Sequence, residues 1–327
     1  MAYSSGGLIE ATDYNGFVST TSGANVNNVW GTGSTDSGWG QTVLSTVSTA
    51  GTITATQWAS LVNTISTMAS QTGTTITSRT APVVGDTINI LAALNTDLTN
   101  ITTNRQNAVG SGSQYTGWTG TNSKTTSTSG ASWTITFTNT VTWASADAAR
   151  YFFNAGGRIK IDVFKSSTGQ TGDPEWNDLA SALCGDIYIT GGTATQTIAG
   201  SNYTGTTQVG GTGTPTILLT TTGWHDLTPG GAATVVYKQF ADTAPYTSNY
   251  IQHALTRSAD STQLIITTTW SANDTNPADP TDPISGGTAS SGATPGTAPT
   301  TIVTYFPPST TYLTNSWGTP TVAATTT

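Results

Sequence analysis

The chain contains two histidines and one cysteine, so proton transfer or nucleophilic attack would have to be built around those side chains. His225 stands next to Asp226, and a histidine base oriented by a carboxylate is the centre of a hydrolytic triad. No Gly-x-Ser-x-Gly motif supplies the nucleophile, and His253 falls in a different predicted element from His225. Each is therefore read as a dry, hydrogen-bonded histidine. Cys184 closes an apolar stretch, 179–184, with no basic residue close in sequence, and reads as a small core hydrophobe rather than a thiolate. Asp274, Asp279 and Asp282 gather carboxylates of the kind calcium takes. Their spacing fits no EF-hand loop, and Pro277, Pro280 and Pro283 hold the path extended, so a solvated, turn-rich linker is expected. The glycine-rich stretches 31–40 and 210–213 lack the Gly-Lys-Ser/Thr ending of a phosphate loop and read as turns. Residues 30–41 read as a rigid compact loop, anchored by Trp30 and Trp39 and permitted by glycines at positive φ. No catalytic residue, cofactor-binding residue or metal ligand emerges, and a non-enzymatic protein is expected.

Composition points the same way. Charged residues make up 8% of the 327 positions, against roughly a quarter in ordinary soluble domains. With the 36 glycines counted, the apolar share is about 46%, an ordinary globular value, and ten tryptophans support real cores. A surface of Thr, Ser, Asn and Gly can meet neighbouring chains without desolvating charge. The net charge of −8 and the lack of any basic run argue against nucleic-acid binding. No segment approaches the ~20 apolar residues that span a bilayer. The lone cysteine offers no disulfide framework, and residues 1–7 carry neither part of a signal peptide. Synthesis and folding in a cytoplasm are expected.

Positioning elements follow from periodicity. Residues 55–70 place Trp58, Leu61, Val62, Ile65, Met68 and Ala69 on one helical face. Thr54 and Gln57 form a capping box at its start, and Gly73 is placed to end it. A second helix is expected over 87–106, capped by Asp86, with Leu91, Leu94, Leu98 and Ile101 as a narrow stripe that suits a helical hairpin or a seam between subunits. Both helices are rich in Thr and Asn, so packing must hold them. Residues 108–130 read as a Gly/Ser/Thr linker. Beyond it Trp133, Ile135, Phe137, Val141 and Trp143 alternate with polar residues as a strand pair or one long strand. Ser145 caps a short helix ending at Gly156-Gly157, where one glycine should take positive φ. A strand over 158–165 follows, then Asp173-Pro174 as N-cap and first helical residue. Thr-rich strands are expected at 187–190, 217–222, 233–240, 250–256 and 264–270. The expected fold is α+β: a helical region over 1–107, the linker over 108–130, a mainly antiparallel β-sandwich with short helices over 131–272, and an extended Pro/Thr-rich arm over 273–327. Carrying Tyr305, Phe306, Tyr312 and Trp317, the arm should pack on its own sandwich or on the next subunit.

Two blocks carry a resemblance. Ile9-Glu-Ala-Thr-Asp-Tyr-Asn15, leading into Asn25-Val-Asn-Asn-Val-Trp-Gly31 and Ser37-Gly-Trp-Gly-Gln41, resembles the N-terminal pattern of virion structural proteins of tailed phages. Ala148-Ala-Arg-Tyr-Phe-Phe-Asn-Ala-Gly-Gly-Arg-Ile159 resembles a segment of the same group. The resemblance covers roughly residues 1–183; after Gly191 only composition matches. It implies a non-enzymatic, homo-oligomeric neck, collar or tail subunit located in the virion and assembled in the host cytoplasm. The implied partners are copies of itself and other virion proteins. The alternative from the residues is a receptor-binding fibre or decoration protein that meets a host-surface glycan through Trp, Tyr and hydroxyl-rich surface.

Overall fold

The computed structural model describes residues 10–19, 23–49, 51–86, 91–110, 115–116, 123–124, 126, 128–130, 132–273, 283–286 and 298–327. The N-terminal part holds helices α1 (Ala11–Val18), α2 (Val26–Val29), α3 (Ala55–Thr72) and α4 (Leu91–Thr103). The start of α3 is the expected capping box, and Gly73 ends the helix in the left-handed region at φ 67°. Trp58, Leu61, Ile65 and Met68 of α3 share one buried core with Leu94, Leu98 and Ile101 of α4. Tyr14 and Phe17 of α1 meet the Trp58 ring edge-on, at 5.6 and 6.3 Å. Helix α4 also buries a charge. Asp97 takes the Arg79 guanidinium and the Thr77 N–H, with both charged side chains almost wholly enclosed. The Leu91 side chain, and the helix start that Asp86 was expected to cap, lie outside the described residues.

The strands are β1 (Tyr115–Thr116), β2 (Trp133–Thr142), β3 (Arg158–Phe164), β4 (Asp186–Ile189), β5 (Gln196–Ile198), β6 (Ser201–Tyr203), β7 (Thr206–Val209), β8 (Ile217–Leu218), β9 (Thr234–Phe240), β10 (Tyr250–Arg257), β11 (Gln263–Ala272), β12 (Thr300–Phe306) and β13 (Thr321–Thr326). A five-stranded sheet runs β1-β12-β3-β4-β7, and a six-stranded sheet runs β13-β2-β11-β10-β9-β8. The strand pairings are antiparallel. The fold is thus α+β, as the sequence pattern implies. β2 is one long strand whose Trp133, Ile135, Phe137 and Val141 face the core.

Two expectations change. The described residues of the stretch read as a linker are paired with the fold: Ala108 bridges Ile198, β1 pairs with β12, Ser123 bridges Thr300 and Thr128 bridges Ile284. Within its described part the expected arm packs on its own sheets, one of the two placements expected for it, and its strand-like piece 300–306 is β12. What changes is that it enters the sheets as strands instead of lying over them. β12 lies between β1 and β3 in the five-stranded sheet, and β13 forms one edge of the six-stranded sheet. Tyr305, Leu313 and Trp317 are buried in the common core. Short strands escape periodicity because their partners, distant in sequence, supply the ladder.

Between the sheets lie α5 (Ala146–Asn154) and α6 (Asp173–Asn177), the latter continued by a π-helical turn, Asp178–Leu183. That turn touches β3 on one sheet and β9 and β10 on the other. Ser145 caps α5 by accepting the Ala148 N–H at 3.0 Å, and Gly156 takes φ 93° as expected. A Cβ at Gly156 would stand 2.6 Å from that of Ala108. Asp173 departs from its expected role. It is the first helical residue rather than the cap, and its buried carboxylate takes Lys165 at 2.9 Å and the backbone N–H groups of Gln170 and Ser285. A buried ion pair survives when further donors satisfy it, and here they do.

Candidate functional site

The residues with chemical potential are held apart. His225 sits in a 3-10 turn, Trp224–Asp226, where Nε2 lies 2.8 Å from Asn154 Oδ1. Burial lowers its pKa to about 4, so the imidazole is neutral. The carboxylate of Asp226 turns away and accepts the Gly223 N–H of its own turn at 2.9 Å. His253 is fully enclosed on β10, bonded through Nδ1 to Thr268 Oγ1 at 3.0 Å and stacked on Tyr237. Burial alone lowers its pKa to about 3. Cys184 is also fully buried, and burial pushes its thiol up to about 12, which removes it as a nucleophile. Asp274, Asp279 and Asp282 lie outside the described residues. Among the described residues, no three His, Cys, Asp or Glu side chains gather to hold a metal ion.

Residues 30–41 form a polar junction, and its geometry is structural. Gly33, Thr35, Gly38 and Gly40 all take positive φ, so several loop carbonyls turn toward one side. There Arg105 Nε donates to Asp36 O at 3.0 Å, Arg150 Nη1 to Ser37 O at 2.6 Å, and Asn154 Nδ2 to Ser37 O at 2.9 Å. Trp39, fully buried, donates its indole N–H to the carbonyls of Arg105 and Asn154. Gln41 exchanges hydrogen bonds with Thr314, which ties residues near the C-terminus to this loop. The carbonyls face protein cations, an arrangement that cradles no phosphate. The expected compact loop is present, and its work is to join four segments of the chain.

A second charged group lies on the outer face of the five-stranded sheet. Lys160 stands 3.5 Å from both Asp162 and Asp186. Burial would lower the Lys160 pKa, but the two carboxylates outweigh it and raise the value. Arg158 is packed against Phe306, Tyr203 and Tyr188, with guanidinium-to-ring distances of 4.5, 5.3 and 5.9 Å. The hairpin of β5 and β6 contributes Tyr203 to this cage. This is a cation held by aromatic faces, and it anchors the hairpin to the sheet.

The outer face of the six-stranded sheet is regular and mostly half-buried. Side chains alternate along β2, so Thr134, Thr136, Thr138, Thr140 and Thr142 all point away from the core. The register sets Thr138 between Thr267 of β11 and Thr325 of β13, and Thr142 beside Thr321. Ile265, Ser271 and Ala323 fill other positions, and no charged residue occurs on this face of β13, β2 and β11. Alternating threonines in 134–142 are visible in the sequence. That three such strands lie side by side requires the register.

Scans against protein-family models, curated proteins and solved structures returned no match for this chain. The protein is defined by its own geometry: an α+β fold of two antiparallel sheets with helices between them, a buried polar junction, and a broad uncharged threonine face.

Proposed function

We propose that the chain is a non-enzymatic structural subunit of a tailed-phage particle, a homo-oligomeric neck, collar or tail component whose partners are copies of itself and other virion proteins. The observation that carries the reading is the uncharged threonine face of β13, β2 and β11. Such a face meets another protein surface without stripping water from charges, a term that often cancels the gain from ion pairs. The two sequence blocks that resemble those of virion structural proteins, residues 9–41 and 148–159, suggest the particle. Immunogold labelling of purified particles with antibodies against this chain tests it: label at the neck, collar or tail is expected, and absence of the chain from particles overturns the reading.

The alternative, a receptor-binding fibre or decoration protein, loses part of its motivation. Trp39, Trp58, Trp176, Trp224, Trp270 and Trp317 are fully buried, so these rings are core and present no sugar-stacking surface. What remains for a glycan is the hydroxyl array itself. Retention of the chain on host-surface polysaccharide, lost on replacing Thr138 and Thr267 by Val, would favour that alternative.

A further inference from the structure

We propose that Lys165 and Asp173 condense with one another once the chain has folded, joining Lys165 Nζ to Asp173 Cγ as a side-chain amide. Such a bond belongs to the isolated chain and does not depend on assembly.

Lys165 directly follows β3 and Asp173 opens α6, so the connection 166–172 brings its two ends together. Both side chains are fully enclosed, and Nζ lies 2.9 Å from Oδ1. The Ser166 carbonyl accepts from Nζ at 3.1 Å and holds it in place. Ser285 N–H donates to Oδ1 and Gln170 N–H to Oδ2, each at 2.8 Å. At Gly169, with φ 129°, the connection passes so close that a Cβ would stand 2.3 Å from Oδ2 and 1.9 Å from Ser285 Oγ. Main chain therefore packs directly on the carboxylate. Burial outweighs the pull of Asp173 and lowers the Lys165 pKa, and a desolvated lysine is one whose amine acts as a nucleophile. Lys160 offers the contrast. It is partly exposed and stands 3.5 Å from Asp162 and Asp186. Burial there is overcome by the two carboxylates, which raise its pKa and keep the amine protonated.

Along the 2.9 Å hydrogen bond the ammonium passes one proton to Oδ1, leaving a neutral amine beside a carboxylic acid, the form a dry site favours. The Nζ lone pair adds to Cγ. Negative charge gathers on Oδ2, where the Gln170 N–H already points. A second proton moves from Nζ to Oδ1, the Cγ–Oδ1 bond breaks, and Oδ1 leaves as water. Ammonium and carboxylate have become one amide and one water, with no oxidant, reductant or cofactor consumed. Fixed geometry replaces the encounter of the two groups. The product holds no charge at this place, so the desolvation cost of the buried pair disappears with it.

Peptide mapping of the full chain tests the bond. Lys160 and Lys165 are both tryptic sites, and no Lys or Arg lies between Lys165 and Lys238. In wild-type protein purified folded and then denatured, trypsin is expected to cut after Lys160 and not after Lys165. Chymotrypsin, cutting after Phe164 and Trp176, should release a peptide 165–176 lighter than its sequence by one water. Cyclisation of Asp173 onto the next backbone nitrogen, another route to a lost water, is closed because that nitrogen belongs to Pro174. Lys165→Arg keeps the charge and cannot form this amide, so its peptide should carry the full mass. Should that variant fail to fold, the wild-type map decides alone. Cleavage after Lys165, or a wild-type peptide 165–176 of full mass, overturns the proposal. So does a lost water that persists in Lys165→Arg or maps to Lys160. None of these results bears on whether the chain is found in particles.

Discussion

At the scale of single residues, His253 converts its surroundings into a pH response. It is enclosed, pairs through Nδ1 with Thr268, and its Nε2 has no hydrogen-bond partner among the described residues. Its pKa falls from 6.5 to about 3 in the fold. Between those values the unfolded chain binds a proton that the folded chain refuses, so stability falls as the pH drops from about 6.5 and the loss is complete near 3. The full loss is on the order of 5 kcal/mol for this group. His225 adds to the same slope down to about 4. A His253→Gln variant should lose part of the slope. Urea midpoints from pH 7 to pH 4 are expected to fall less steeply in the variant, and parallel curves would show that His253 protonates freely in the fold. The dryness of the histidines is legible in the sequence as a lack of partners; their depth is not, because depth is set by strands far away in the chain.

At the scale of elements, local signals read well where the chain writes both ends of an element. Thr54, Gln57 and Gly73 mark α3, and Ser145 and Gly156 mark α5 and its exit. Asp173-Pro174 misleads, because the dipeptide that opens a helix also suits a carboxylate needed for a buried pair with Lys165. β5, β6 and β7 leave little trace in the sequence, because residues 191–209 are mostly Gly, Thr and Ser, with little alternation to read. The same reasoning gives a sharp expectation for α4. Leu94 is fully buried between α3 and its own helix, next to Leu98 and Ile101. Leu94→Ala should cost about 2–5 kcal/mol, read as a lowered urea midpoint, and Leu94→Asp should yield no soluble folded protein. A well-folded Leu94→Asp protein would place the stripe at the surface and remove the helical pair from the core.

At the scale of the whole molecule, the expected division at 108–130 runs through packing rather than between domains. One buried cluster includes Trp58 and Leu98 from the helical part, Phe137 and Trp270 from the six-stranded sheet, and Ile161 and Val303 from the five-stranded sheet. Trp39 bonds to the carbonyls of Arg105 and Asn154, and Gln41 to Thr314, so the junction loop needs both ends of the chain. Neither half closes its own core. A fragment of residues 131–327 would leave α5 without the loop that Arg150 and Asn154 hold, and would expose the side of the core that α3 and α4 cover. A fragment of residues 1–107 would keep two helices of poor intrinsic propensity, with their apolar faces partly bare. The intact chain is therefore expected to melt in one cooperative transition, with neither fragment folded when expressed alone. Circular dichroism and limited proteolysis of the three proteins make the comparison. A 131–327 fragment that melts at the temperature of the whole chain would show that the sandwich is autonomous, and that the shared core and the junction loop are incidental to it.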